Sequence, residues 1–307
     1  MRGLRAVLAL PLLLAAACAP QGTPEHYRAI EAYLLSQGAL RADIAPPDAP
    51  YDRETLARNF SLVALHTEFP DPEARSNEVR LTKWRDPIVW RIQGGGARES
   101  DRAHMRRLSR RLEAATGLPF REAPPLTRPA YPERARLDED AAPAAARSPA
   151  GSERPNLLIY ILSASDPRAA RTEIEALTPG LTPIFEDWLA DRDFLCFAQS
   201  YPRVPRGLWS GFAVVGIRDE LSTLWRHSCL DEEVAQLLGL PNDDGSVRPS
   251  IFNDDEEFAF LTEHDEMLLR ILYDPRLRPG MGRDKVEPLV RRILDEMVLP
   301  QEARAGD

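Results

Sequence analysis

A chain of 307 residues, 43% of them hydrophobic, is long enough to bury a substantial core as one large domain or two small ones, which excludes a disordered polymer. Its net charge is -9, and its basic residues are almost all Arg, with Lys only at Lys83 and Lys285. An acidic chain repels phosphate backbones, so no nucleic-acid partner is expected. Arg runs such as "RRLSRR" (106 to 111) read as a solvated helix face.

The N-terminus carries the most specific pattern. Arg2 and Arg5 precede the apolar run "AVLALPLLLAAA" (6 to 17), which is too short to span a bilayer and has the form of a signal-peptide core. "LLAAAC" resembles the lipobox of bacterial lipoproteins, although Ala15 stands where Leu is commoner. The resemblance implies a signal peptide over 1–17, a lipidated Cys18 and attachment to a membrane through it. The alternative is an ordinary secretory signal cleaved after "AAA", with Cys18 incidental. Either way the rest of the chain is exported. The expected location is the cell envelope, facing the periplasm. Ala19 and Pro20 lack the Asp associated with inner-membrane retention in some bacteria, which favours the outer membrane. In that compartment Cys196 and Cys229 are an even pair, expected as a disulfide, with two buried free thiols as the alternative.

Residues 18–50 read as an anchor-proximal helix and linker. Within them "TPEHYRAIEAYLLSQG" (23 to 38) has Thr23 as cap, Pro24 in the first turn, Tyr27, Ile30 and Leu34 on one face and Gly38 as stop. A single domain is expected over 51–300. In it "ETLARNFSLVALHTEF" (54 to 69) reads as a helix through Leu56, Phe60 and Val63, with a strand over 60 to 65 as the alternative, and "LTKWRDPIVWRIQGG" (81 to 95) as a half-buried strand with Ile88, Trp90 and Ile92 inward. An amphipathic helix follows at 100 to 117, with Ser100 as cap and Gly117 at its end. Residues 121–155, rich in Pro, Ala and charge, read as a flexible insertion. "NLLIYIL" (156 to 162) is expected to be a buried strand, "TPIFEDWLA" (182 to 190) a short helix, and 194 to 202 and 207 to 219 two further strands. Helices at 261 to 274, capped by Thr262 with Asp265, and at 286 to 298 close the domain, and 301–307 is a tail.

Before the last two helices stands "EEVAQLLGLPND" (232 to 243). Ser228 with Asp231 three residues on reads as a capping box, which puts Glu232 and Glu233 in the first turns of a helix, where its dipole favours anions. The longer pattern E-E-x-x-Q-x-x-G-x-x-N, from Glu232 through Gln236 and Gly239 to Asn242, resembles the metzincin zinc motif H-E-x-x-H-x-x-G-x-x-H. "PSIF" (249 to 252) stands where that family's methionine turn would follow, and 261 to 274 resembles its closing helix. The resemblance implies an α/β (α+β) fold, a zincin-like mixed sheet with a long central helix and C-terminal helices. Glu232, Gln236 and Asn242 then occupy the three zinc positions and Glu233 that of the general base. One carboxylate and two amides make a poor zinc site, so neither metal nor cofactor is expected. The lipobox, the "KW…P" strand, "CLDEEVAQLLGLPND", "SIFNDDEEFAFLT" and "LYDPRLRPGM" together resemble a bacterial domain-of-unknown-function family of lipoproteins.

Other chemistry has weaker support. The five histidines, His26, His66, His104, His227 and His264, are not paired at ligand spacing; His227 lies off the Glu232 face and His264 in an exposed helix start, so solvent-facing or capping roles are expected. "NDDG" (242 to 245) and "FNDDEEF" (252 to 258) are acidic loops with oxygen ligands of the kind Ca²⁺ takes, but they depart from the EF-hand spacing and read more simply as ordinary turns. The expected function is an envelope lipoprotein whose metal-free, zincin-like domain binds an envelope protein or peptide, or acts in assembly. Two rivals stand beside it. One is a hydrolase with an atypical site centred on Glu233, using Glu232, Asn242 and Asp254 or His264; raised pKa values for the Glu pair in a wide cleft would favour it. The other is a structural protein whose cleft is filled.

Overall fold

The computed structural model describes residues 20–68, 76–124, 155–202, 208–209 and 211–300. The expected signal peptide with Cys18, most of the insertion and the 301–307 tail lie outside them.

Period-2 and unbroken apolar runs set the sheet. Strand β1 is Lys83–Trp84 and β2 is Ile88–Gln93, in which Ile88, Trp90 and Ile92 are buried and the residues between them half-buried. Strand β3 is Phe120–Glu122, at the point where the insertion is expected to begin, and it joins the sheet edge in parallel register with β2, Phe120 opposite Ile88. Strand β4, Leu157–Leu162, is buried at every position. Strands β5, β6 and β7 are Cys196–Pro202, Leu208–Trp209 and Gly211–Arg218. The order β3-β2-β4-β7-β5 makes a five-stranded mixed sheet in which only β5 runs antiparallel, while β1 pairs with β6 separately.

Eight α-helices lie around this sheet among the described residues. Helix α1, Pro24–Gln37, has the Thr23 cap and left-handed Gly38 stop that its sequence implies, and it packs on the domain, where the Tyr27 hydroxyl donates to Arg192 O at 3.0 Å. Helix α2 is Arg53–Ala64. Helix α3, Glu99–Thr116, starts from Arg98 and not from Ser100, because Asp101 turns back to accept from the Arg98 backbone N–H at 2.9 Å. Helix α4, Pro167–Leu177, was not legible as a helix in the sequence; helix α5, Thr182–Ala190, was. Helices α6, Thr223–Leu237, α7, Glu263–Leu272, and α8, Arg283–Glu296, follow.

Burial of both faces explains why β4 lacks alternation. One face, through Leu158, Tyr160 and Leu162, packs on α4 and α5 by way of Ile174, Phe185 and Trp188. The other, through Ile159, Ile161, Val215 and Ile217, meets the larger core built by α2, α3, α6, α7 and α8. A disulfide between Cys196 and Cys229 ties edge strand β5 to α6. No described helix is long and apolar enough to cross a membrane.

Candidate functional site

Helix α6 carries the motif, but it begins earlier than the Ser228 pattern implies. Ser222 is the cap, accepting from the Trp225 N–H at 3.3 Å. The apolar face of Trp225, Cys229 and Leu230 is buried continuously, so the helix runs through Ser228 without a break. Asp231 is no capping residue: its buried carboxylate accepts from the Leu261 N–H at 3.0 Å and meets His104 Nε2 at 2.5 Å. Glu232 and Glu233 therefore lie in the last turns of α6, where the helix dipole opposes negative charge instead of favouring it. Gly239 then turns the chain with φ +116°, and a Cβ there would fall 2.3 Å from Thr82 O.

Glu232 and Gln236 stand one turn apart on α6. Gln236 Nε2 donates to Asp243 at 3.2 Å, and Asn242 Nδ2 donates to Leu62 O at 3.2 Å and to Asp243 O at 2.9 Å. The "NDDG" and "FNDDEEF" loops, read separately as turns, are stitched together here. The Asp244 N–H donates to Phe252 O at 3.0 Å, and the Asn253 amide reaches Gly245 O and Val247 O.

This folding gathers carboxylates. Burial, then the charge of Asp243, pushes the Glu232 and Glu233 carboxyls well above the ordinary range. Asp243 is pushed up to about 7, by burial first and then by the Glu68 charge, against the lowering hydrogen bond from Gln236. Burial and the exposed Asp254 push Glu256 up to about 7, and the same two causes raise Glu68. Sequence reasoning singled out the Glu pair and weighed the two loops, but missed that all of them converge. Only long-range folding brings Glu68 and the 252–258 loop to α6.

The histidines depart from expectation. His264 is fully buried, not exposed, because Asn59 Nδ2 lies 3.0 Å from its ring nitrogen and the Tyr51 ring packs on it; its contacts are with these and Asp265, not with the Glu pair. His227 is also buried and stacks on His104 at 4.1 Å between ring centroids, with its Nε2 3.7 Å from Asp101. A pair separated so widely in sequence carries no local signal. Among the described residues no three His, Cys, Asp or Glu side chains meet the geometry of a metal site. Two cavities, of about 300 and 320 Å³, open beside Phe60 and Val290 and under Pro46 and Tyr51, and neither is lined by Glu232 or Glu233.

The family model described as "Protein of unknown function (DUF2927)" matches residues 53–292. No curated protein and no solved structure matches the chain.

Proposed function

Given that the chain belongs to this family of unknown function, we propose that it is a lipid-anchored envelope protein whose zincin-like domain has given up zinc peptidase chemistry and works by binding. The observation that carries the reading is the state of the three would-be zinc positions. Glu232 offers one carboxylate, while Gln236 and Asn242, whose nitrogens donate to Asp243 and to main-chain carbonyls, could offer only neutral amide oxygens, poor donors for zinc. Without zinc to bring the pKa of a bound water down toward neutrality, Glu233 faces a nucleophile far harder to generate. The mixed sheet with one antiparallel edge strand, followed by the α6 helix and the Gly239 turn, supports the zincin-like reading. The Cys196–Cys229 disulfide supports export, since such bonds persist in oxidising compartments. Strand β5 pairs only with β7 among the described strands, and an extended peptide of an envelope partner adds naturally to such an edge.

The test is elemental analysis and peptide hydrolysis by the full-length chain, extracted in detergent and supplied with zinc, beside Glu233→Ala. The expected result is no stoichiometric zinc and no hydrolysis above the variant. About one zinc per chain, with hydrolysis lost in the variant, would overturn the reading. Separately, Cys18→Ala should move the protein from the membrane fraction to the soluble periplasm; retention in the membrane would remove the lipid anchor. The rival hydrolase reading keeps one supporting observation, the raised pair Glu232 and Glu233. The two cavities beside Phe60 and under Pro46 are not lined by either residue. A pH-dependent hydrolysis abolished by Glu233→Gln in zinc-free protein would favour it.

A further inference from the structure

Residues 20–44 are fastened to the domain at intervals along their whole length. The Thr23 hydroxyl donates to Pro20 O at 2.8 Å, ahead of α1, and Arg192 Nη1 donates to Gln21 O at 3.0 Å. Gly22, buried between them under the Arg192 side chain, has φ +77°, a backbone that glycine adopts without strain. Within α1 the Tyr27 hydroxyl donates to Arg192 O at 3.0 Å, and Glu31 accepts from the Ser222 hydroxyl at the start of α6. Beyond the helix, the Leu40 and Arg41 N–H groups donate to Glu256 O at 2.8 Å and Glu257 O at 2.9 Å, and Ile44 O accepts from the Glu263 N–H at 2.8 Å. From Pro20 to Ile44 the chain therefore gives the domain no slack.

The turn that receives this segment is itself fixed. Arg218, fully buried, donates to Trp188 O at 2.7 Å, to Asp191 O and to Phe194 O at 2.8 Å, which locks the backbone from the end of α5 to the approach of β5. The Asp193 N–H donates to Asp191 Oδ1 at 3.1 Å within the same turn. On this rigid support Phe194 is nevertheless 48% exposed. Its exposed neighbours Asp191, Arg192 and Asp193 carry both signs of charge, so they form no basic patch for anionic headgroups.

We propose that the face formed by Pro20, Gln21, Arg192 and Phe194 rests on the bilayer in which Cys18 is anchored, with Phe194 entering the boundary between headgroups and acyl chains. The proposal rests on the lipid-anchor reading and not on the loss of zinc. Two peptide units separate Cys18 from Pro20, a reach of roughly 7 Å at full extension. Because Pro20 is bound to Thr23 and Gln21 to Arg192, an anchored Cys18 leaves the domain no freedom to stand off from the membrane or to turn another face toward it. Phe194 follows Arg192 by two residues, so its backbone lies within a further 7 Å or so of the residue that holds Gln21. A half-exposed aromatic ring on a rigid turn suits the membrane interface, where apolar groups enter about 5–10 Å deep. One such ring cannot hold a domain down unaided, so the contact is imposed by the short tether. The consequence is an orientation: β5, which begins at Cys196, is presented close to the membrane surface.

The experiment reconstitutes the protein, acylated and processed in its host, into vesicles of zwitterionic phosphatidylcholine brominated on the acyl chains, and compares Phe194→Trp with the wild type. Bromine quenches an indole only at short range, so the emission added by the substitution reports contact with lipid at position 194, and the native tryptophans are subtracted with the wild type. About half or more of the added emission should be lost, as for a ring seated about 5–10 Å into the boundary, while the variant melts with the wild type in detergent. A Gly/Ser insert of about twelve residues between Ala19 and Pro20, with an r.m.s. reach of about 20 Å, should reduce that quenching about twofold or more. Added emission that bromine leaves unquenched overturns the proposal; if it is also shielded from aqueous iodide, a protein covers the face in place of lipid. Quenching unchanged by the insert overturns it too, because the tether would then not impose the contact. Mass spectrometry of the N-terminal peptide separates the two readings. A Cys18 without acyl chains overturns the lipid anchor and this proposal together, whereas an acylated chain with an unquenched indole overturns this proposal and leaves the anchor standing.

Discussion

Burial and the Glu68 charge push the Asp243 carboxyl up to about 7, whereas the unfolded chain releases the same proton near the ordinary Asp value of about 3.9. Between those values the folded state binds more protons than the unfolded one, so stability falls as pH rises. The stabilising contribution is complete below about 4 and lost by the time pH has passed 7; Glu256, also raised to about 7, behaves in the same direction. Asp243→Asn removes the cost of ionising this group. The variant should melt higher than the wild type at pH 8, by several degrees, and about equally at pH 4. Thermal scans across that range check it. A variant that is less stable at pH 8, or a wild-type curve without a decline attributable to this residue, would mean that Asp243 is solvated or paired and that burial does not hold its proton.

At the scale of the elements, α6 is held in place at both ends by features of different kinds. At its C-terminal end Gly239 has φ +116° and leaves no room for a Cβ beside Thr82 O, 2.3 Å away. Gly239→Ala should destabilise by about 1–3 kcal/mol from the dihedral alone, with the overlap in addition; equilibrium urea unfolding measures it, and a change under about 0.5 kcal/mol, the range of ordinary surface substitutions, would show that the turn is adaptable. In its first half, Arg226 is fully buried, binds Asp101 of α3, reaches Asp219 at 2.9 Å and donates to Gly96 O at 2.7 Å. Arg226→Leu leaves the Asp101 carboxylate buried without its cation and should cost about 3–5 kcal/mol by the same measurement, a loss that Asp101→Asn in the same chain should partly recover. The elements themselves were legible where local pattern decides: Ile88, Trp90 and Ile92 alternate, β4 is an unbroken apolar run, and Thr262 with Asp265 caps α7. The start of α6 was not, because Ser222 and Ser228 both offer a cap hydroxyl and only the buried face of Trp225 and Cys229 selects the first. The acid cluster was legible as residues but not as a site. Asp243 and the 252–258 loop are brought to the end of α6 by the Gly239 turn, the Gln236–Asp243 bond and the Asp244–Phe252 bond, which no local periodicity encodes. His104 and His227 were misread for a related reason, since their stacking depends on how α3 crosses α6.

For the molecule as a whole, the sheet is sandwiched between α4 and α5 on one face and the larger helical core on the other, and β5 is one of its two edge strands. It pairs with one neighbour only, runs against the others, and lies beyond β7 at the edge. Its link to α6 through Cys196 and Cys229 closes a loop over a sequence separation of 33 that contains β6, β7 and the first half of the helix. In the unfolded chain the cross-link removes loop-closure entropy that, for a loop of this length, amounts to about 3–4 kcal/mol at 25 °C. Reduction should therefore lower the unfolding free energy by about that amount, visible as a fall in the urea midpoint with the slope little changed. Because β5 and the site-bearing helix share the bond, the loss should appear first as faster amide exchange along β5 and the Cys229 turn, while β4, enclosed on both faces, stays protected until global unfolding. Denatured protein from an oxidising compartment should show no thiol from this pair before reduction. Thiols that titrate at once, or a reduced protein with unchanged midpoint and unchanged exchange at β5, would separate the edge strand from the helix and remove the support that the disulfide lends to export.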